Sequence, residues 1–151
     1  FSNIKYFGTL SPMQGFADWF KGLEENYIGE ILGASNKNIL DFLKSPDLKI
    51  GDKKIIDNKE SICRLALNYL ANVKNGLGFP INDVCRFHLK NGAEIDDIVV
   101  NGNVSEVGFK RSFGVMVNYN YELKCIEQNH QEYVNDKKVN ISRKIKKYVK
   151  N

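Results

Sequence analysis

Apolar positions along the first half of the chain recur at helical spacing. Phe16, Trp19, Phe20 and Leu23 predict a helix that opens just beyond Ser11-Pro12, with Ser11 before its N-terminus. A second helix is expected from Ser35 to Lys44, with Ile39, Leu40 and Leu43 inward and Pro46 ending it. The longest stripe, Ile62, Leu65, Ala66, Tyr69, Leu70 and Val73, predicts a helix from Lys59 to Lys74, with Asp57 and Glu60 as a capping pair and Gly76 after its end. Gly76, Gly78 and Pro80 then break the chain. Beyond them the period changes to two, as Val84, Arg86 and His88 alternate with Cys85, Phe87 and Leu89. That alternation predicts a strand with His88 near its end, and Asn91-Gly92 supplies the pair favoured in a tight hairpin. Its expected partner runs from Glu94 to Val100, closed by Asn101-Gly102-Asn103, and a third strand runs from Ser112 to Leu123 with Tyr119 and Tyr121 on one face. Ile141, Ile145, Tyr148 and Val149 predict a final packed helix. The pattern alone therefore reads as helices, then a three-stranded meander, then a helix.

Composition fits one globular domain: 151 residues, 42% apolar and 26% charged. No run of about 18 apolar residues occurs, so no membrane span is expected. Cys63, Cys85 and Cys125 lack metal-type spacing and read as reduced thiols of an intracellular reducing compartment. The formal net charge of +4 is concentrated late, in Lys137, Lys138, Arg143, Lys144, Lys146, Lys147 and Lys150. A basic segment suits phosphates, yet its apolar stripe favours a docked helix with a solvated basic face over nucleic-acid binding.

Three segments carry the chemistry: Gly8-Thr9-Leu10-Ser11-Pro12-Met13-Gln14-Gly15-Phe16, Phe87-His88-Leu89-Lys90-Asn91-Gly92-Ala93 and Gly114-Val115-Met116-Val117-Asn118-Tyr119-Asn120-Tyr121. In this order, and over nearly the whole chain, the sequence resembles malonyl-CoA decarboxylase. The linking segment from Ser105-Glu106-Val107-Gly108 to Ser112 follows the same pattern. The resemblance implies that Ser11 is the catalytic serine, His88 the catalytic histidine and Tyr121 a tyrosine lining the site, all three touching substrate. Gln14 departs from the family's second proline, and Val99-Val100 from its Asn-Trp.

The family's chemistry is loss of carbon dioxide from malonyl-CoA through an enolate, with no metal and no cofactor. Under the resemblance His88 delivers the proton to the nascent acetyl group, while Ser11 hydrogen-bonds the malonyl carboxylate or thioester and accepts a proton. The implied fold is α+β, the C-terminal part of an acetyltransferase-like (GNAT-type) domain with helices flanking a mixed or antiparallel sheet. Residues 1–151 are then a single partial catalytic domain, lacking the family's upstream helical domain, its coenzyme A-binding strands and a catalytic glutamate. Phe1, which is no start residue, agrees with a cut or processed chain. Expected partners are malonyl-CoA and acetyl-CoA, an upstream portion of the same protein and a second copy of the chain; the compartments left open are the mitochondrial matrix and the cytoplasm, as no terminal Ser-Lys-Leu is present. Two other functions remain open at this point, a coenzyme A-dependent acyltransferase and a non-catalytic structural subunit.

Overall fold

A computed structural model of the chain describes residues 3–33 and 38–149. Three antiparallel strands, β1 (Tyr6–Pro12), β2 (Glu94–Val99) and β3 (Met116–Glu122), form an open sheet in the order β1-β3-β2. Helices α1 (Phe16–Lys21), α2 (Glu25–Leu32), α3 (Asn38–Lys44), α4 (Lys53–Asp57) and α5 (Lys59–Asn72) lie between β1 and the rest of the sheet in sequence. Helix α6 (Asp83–Lys90) precedes β2, α7 (Glu106–Ser112) joins β2 to β3, and α8 (Ile126–Asp136) follows β3. The class is α+β, as expected, with an antiparallel sheet.

The core is organised by α5, in which Ile62, Leu65, Ala66 and Leu70 are fully buried along one face. Each of the Ile and Leu side chains contributes about 1.5–3 kcal/mol when removed from water. Aromatic rings extend this core towards the sheet: Phe16 and Phe20 of α1 both meet Phe113 edge-on, with centroids 6.1 and 5.8 Å apart.

Several expected elements differ. The segment bearing His88 is a helix, because its buried positions are Cys85, His88 and Leu89, a helical stripe, while Phe87 stands 62% exposed. Asn82 caps it, its side chain accepting from the Cys85 N–H at 2.9 Å. Asn91-Gly92 is the helix stop and not a hairpin: Gly92 takes φ 93°, its N–H bonds the Leu89 carbonyl, and the Ala93 N–H bonds the carbonyl of His88 itself. Ser11 does not precede a helix directly; it sits within β1, and α1 begins only after Gly15. The third strand is shorter than expected, since Ser112 ends α7 and Phe113-Gly114 turn the chain with φ of 54° and 82°.

The helix expected at Lys59–Lys74 is present as Lys59–Asn72, with Asn58 and not Asp57 at its cap position. Of the helix expected from Ser35, residues Asn38–Lys44 are helical and Ser35 lies outside the described residues. The basic tail is extended as far as Ser142 and then turns, through residues 143–145 and a single 3₁₀ turn at Lys146–Tyr148. It runs alongside β2, the Ile95 N–H donating to the Asn140 carbonyl at 2.8 Å and the Ser142 N–H to the Ile95 carbonyl at 2.9 Å. Its apolar residues still face inward, Ile145 being buried, so the stripe was a docking signal without the helix. Lys150 lies outside the described residues.

Candidate active site

The site forms where α6 crosses one face of the sheet. In the β1–β3 pairing Phe7 stands opposite Tyr121, Thr9 opposite Tyr119 and Ser11 opposite Val117. Opposed residues of an antiparallel pair share a face, so all six side chains look the same way. The inward stripe of α6 then sets His88 onto that face.

There the imidazole is held at both ends. Its Nε2 lies 3.3 Å from Ser11 Oγ, and its Nδ1 lies 2.6 Å from the Tyr121 hydroxyl. The Tyr119 ring stacks on the imidazole at a centroid distance of 4.4 Å and fixes its plane. Ser11, His88 and Tyr121 are 7%, 8% and 6% exposed, which leaves only an edge of the trio open to a ligand. Phe7, half exposed, stacks on Tyr121 at 4.7 Å with the rings 8° from parallel. Thr9 places a second hydroxyl 3.5 Å from Ser11 Oγ.

Burial governs the protonation of this trio. It lowers the His88 pKa from its ordinary 6.5, because desolvation disfavours the imidazolium. The same burial raises the Tyr121 phenol above its ordinary 10.0. At neutral pH the site therefore presents a neutral imidazole beside an intact phenol.

All three residues singled out in the sequence thus come together, across a separation of 77 positions between Ser11 and His88. Thr9, Tyr119 and Phe7 belong to the same face and were not singled out for the site. The period-two signal in β3 does put Tyr119 beside Tyr121; that of β1 is hidden, since Tyr6, Phe7 and Leu10 are all exposed. At Gln14, one of the two departures from the family pattern, the group in use is the main-chain carbonyl, which accepts from Tyr69 Oη at 3.1 Å and Asn82 Nδ2 at 2.8 Å. A carbonyl is supplied by any residue type, so the exchange at this position keeps the interaction. Among the described residues no group of three or more His, Cys, Asp or Glu side chains is arranged to hold a metal ion.

Fold and site together define a class: an α+β protein whose helix-borne imidazole is set between a serine hydroxyl and a tyrosine phenol, an arrangement for moving protons. The chain belongs to the malonyl-CoA decarboxylase family, the family model for the C-terminal domain of that enzyme matching residues 1–151. It is 31% identical to the mitochondrial malonyl-CoA decarboxylase of Anser anser anser over 164 residues, covering 97% of this chain and 32% of that protein. The mitochondrial enzyme of Rattus norvegicus is 29% identical over 163 residues, covering 96% and 33%. Among solved structures, malonyl-CoA decarboxylase from Rhodopseudomonas palustris superposes with a TM-score of 0.86 at 34% identity, over 99% of this chain and 34% of that one. The Agrobacterium vitis enzyme gives 0.83 at 32% identity, over 97% and 36%. The chain spans about a third of the length of the relatives it matches. No described helix is long and apolar enough to cross a membrane.

Proposed function

We propose that the protein decarboxylates malonyl-CoA to acetyl-CoA and carbon dioxide, with Ser11, His88 and Tyr121 as the groups that touch substrate. The observation that carries this reading is the imidazole bonded at both nitrogens, to Ser11 and to Tyr121. The raised phenol keeps its proton at neutral pH and has it to donate, so we take Tyr121 as the donor to Nδ1, which puts the ring proton on Nε2. Nε2–H then donates to Ser11 Oγ, which leaves the serine proton free to bond the malonyl carboxylate or the thioester oxygen.

In the reaction the bond between the α carbon and the carboxylate breaks, and its electron pair moves into the thioester as an enolate. Ser11 bonds the substrate where that charge develops, a kind of contact whose loss typically costs about 10²–10³-fold in rate. The enolate carbon takes the Nε2 proton, directly or through Ser11 as acceptor and donor in turn, and His88 recovers a proton from solvent. One proton is consumed for each carbon dioxide released. As Nε2 gives up its proton, Nδ1 becomes more basic and the bond from Tyr121 tightens, so the phenol stabilises the transition state more than the ground state. No acyl-serine is formed.

We further propose that the three strands are part of a larger acetyltransferase-like sheet, in which residues 1–151 make a partial catalytic domain completed by an upstream portion that binds the coenzyme. Two facts support this: among the described residues β1 pairs with β3 on one side only, at a sheet edge, and the chain covers 32% of a relative's length. A reducing compartment, the mitochondrial matrix or the cytoplasm, is supported by three free thiols and by relatives named mitochondrial. The test is His88→Ala and His88→Asn in the full-length protein, assayed for acetyl-CoA formation from malonyl-CoA. Both variants are expected to be inactive, and undiminished turnover in either refutes the assignment. Acetyl transfer to an amine without malonyl-CoA turnover in the unaltered protein assigns the site to acyl transfer instead.

A further inference from the structure

We infer that Asn82 is the positioning residue that sets the spacing between Ser11 and His88, an inference that rests on the decarboxylase reading for its kinetic test. Asn82 is 4% exposed and uses both ends of its amide. Its Oδ1 accepts from the Cys85 N–H at 2.9 Å, which starts the helix that carries His88. Its Nδ2 donates to the Gln14 carbonyl at 2.8 Å, in the loop that follows the strand carrying Ser11. One side chain therefore ties together the two elements whose side chains meet at the site.

A second bond to the same carbonyl comes from Tyr69 Oη at 3.1 Å, but Tyr69 belongs to α5. Tyr69 holds the loop to the core; Asn82 holds it to the helix of the imidazole. The loop is tightly seated, since a Cβ at Gly15, where φ is 86°, would stand 2.7 Å from Tyr69 Oη. The contact to be protected has little slack. At 3.3 Å, Ser11 Oγ and His88 Nε2 already stand beyond the usual 2.7–3.2 Å of an N–H···O bond, so a drift of a few tenths of an ångström between β1 and α6 breaks it.

The test is Asn82→Ser in the full-length protein. Serine caps a helix about as well as asparagine but is too short to reach Gln14, so α6 persists while the tie is cut. The expected result is a fall in kcat with malonyl-CoA of about 10–100-fold at nearly unchanged KM, the cost of misplacing a reacting group by a fraction of an ångström. Added to His88→Ala, the same substitution is expected to change the residual rate no further. A second readout does not depend on turnover: the ¹⁵N signals of the His88 imidazole, identified by their loss in His88→Ala, are expected to move in Asn82→Ser towards their positions in Ser11→Ala. Should Asn82→Ser fail to fold, Asn82→Asp, which keeps the shape and the cap but turns an acceptor towards the carbonyl, is expected to shift the same signals. Unmoved imidazole signals in a folded variant overturn the inference, as does a loss confined to KM. If the unaltered protein does not turn over malonyl-CoA, the decarboxylase reading falls while the imidazole signals still decide the role of Asn82.

Discussion

Tyr121→Phe isolates the phenol from everything else its ring does. The substitution deletes the hydroxyl 2.6 Å from His88 Nδ1 and keeps the ring that stacks on Phe7 at 4.7 Å. A hydrogen bond to a group that gains charge in the transition state is worth about 1.5–3 kcal/mol. At 1.36 kcal/mol per tenfold, its loss lowers kcat by about 10–150-fold. The fall in kcat is expected to exceed any rise in KM, since the phenol's bond to the imidazole tightens in the transition state. The variant also leaves a buried ring nitrogen without its donor, which costs about 1–3 kcal/mol of stability and is to be measured alongside by urea unfolding. The pH profile adds a sign. On the proposed reaction the acid limb of kcat/KM of the unaltered protein is expected below pH 6.5, because burial favours the neutral imidazole. A phenol donating to Nδ1 favours that neutral form as well, so its removal moves the limb up towards 6.5. The assay is steady-state acetyl-CoA formation across about pH 5 to 9. An unchanged kcat, or a limb that moves further down, refutes the direction of the Tyr121–His88 bond and with it the proton inventory of the site.

The fold and the titration of His88 yield two further expectations. Gly92→Ala forces a side chain into φ 93° with its Cβ 2.5 Å from the Ile126 carbonyl oxygen, so it is expected to destabilise by about 1–3 kcal/mol in chemical denaturation; undiminished stability would contradict the close seating of α8 on the end of α6. Because the folded His88 pKa lies below 6.5, the unfolded chain binds more protons as pH falls past that value; the neutral ring's contribution is complete above it and declines on acidification. His88→Gln is therefore expected to lose stability less steeply than the unaltered protein on acidification from pH 6.5, and parallel unfolding curves would contradict the shift.

Legibility in the sequence followed length and burial. Helix α5, 14 residues with a continuous apolar stripe, was readable because several turns repeat the same period. Helix α6, 8 residues long, offers little more than two turns, and over so short a run the alternation of Val84, Arg86 and His88 with Cys85, Phe87 and Leu89 fits a strand as well. The deciding marks were the cap at Asn82 and the stop at Gly92, both of which have alternative meanings in turns. Strand β1 was hidden because it lies at a sheet edge with Tyr6, Phe7 and Leu10 exposed. The tail kept helical spacing without an α-helix, since residues 140–142 bond to Ile95 and Asp96 and only i to i+3 turns follow, from Ser142 to Val149. The site residues Ser11, His88 and Tyr121 were legible through family resemblance, whereas no pattern in the chain could place Asn82 beside Gln14. That contact joins loops brought together by tertiary folding alone.

The ladder between β1 and β3 works as a ruler. Ser11 and Tyr121 reach opposite ends of one imidazole because their strands are aligned with Ser11 across from Val117 and Phe7 across from Tyr121. A slip of a single residue would turn alternate side chains to the far side of the sheet, separating hydroxyl and phenol while leaving most backbone bonds replaceable. Such a molecule would keep its sheet and lose the meeting of hydroxyl, imidazole and phenol. Strand alignment in this protein is thus what brings the three groups together, and the stacking of Phe7 on Tyr121 belongs to that alignment.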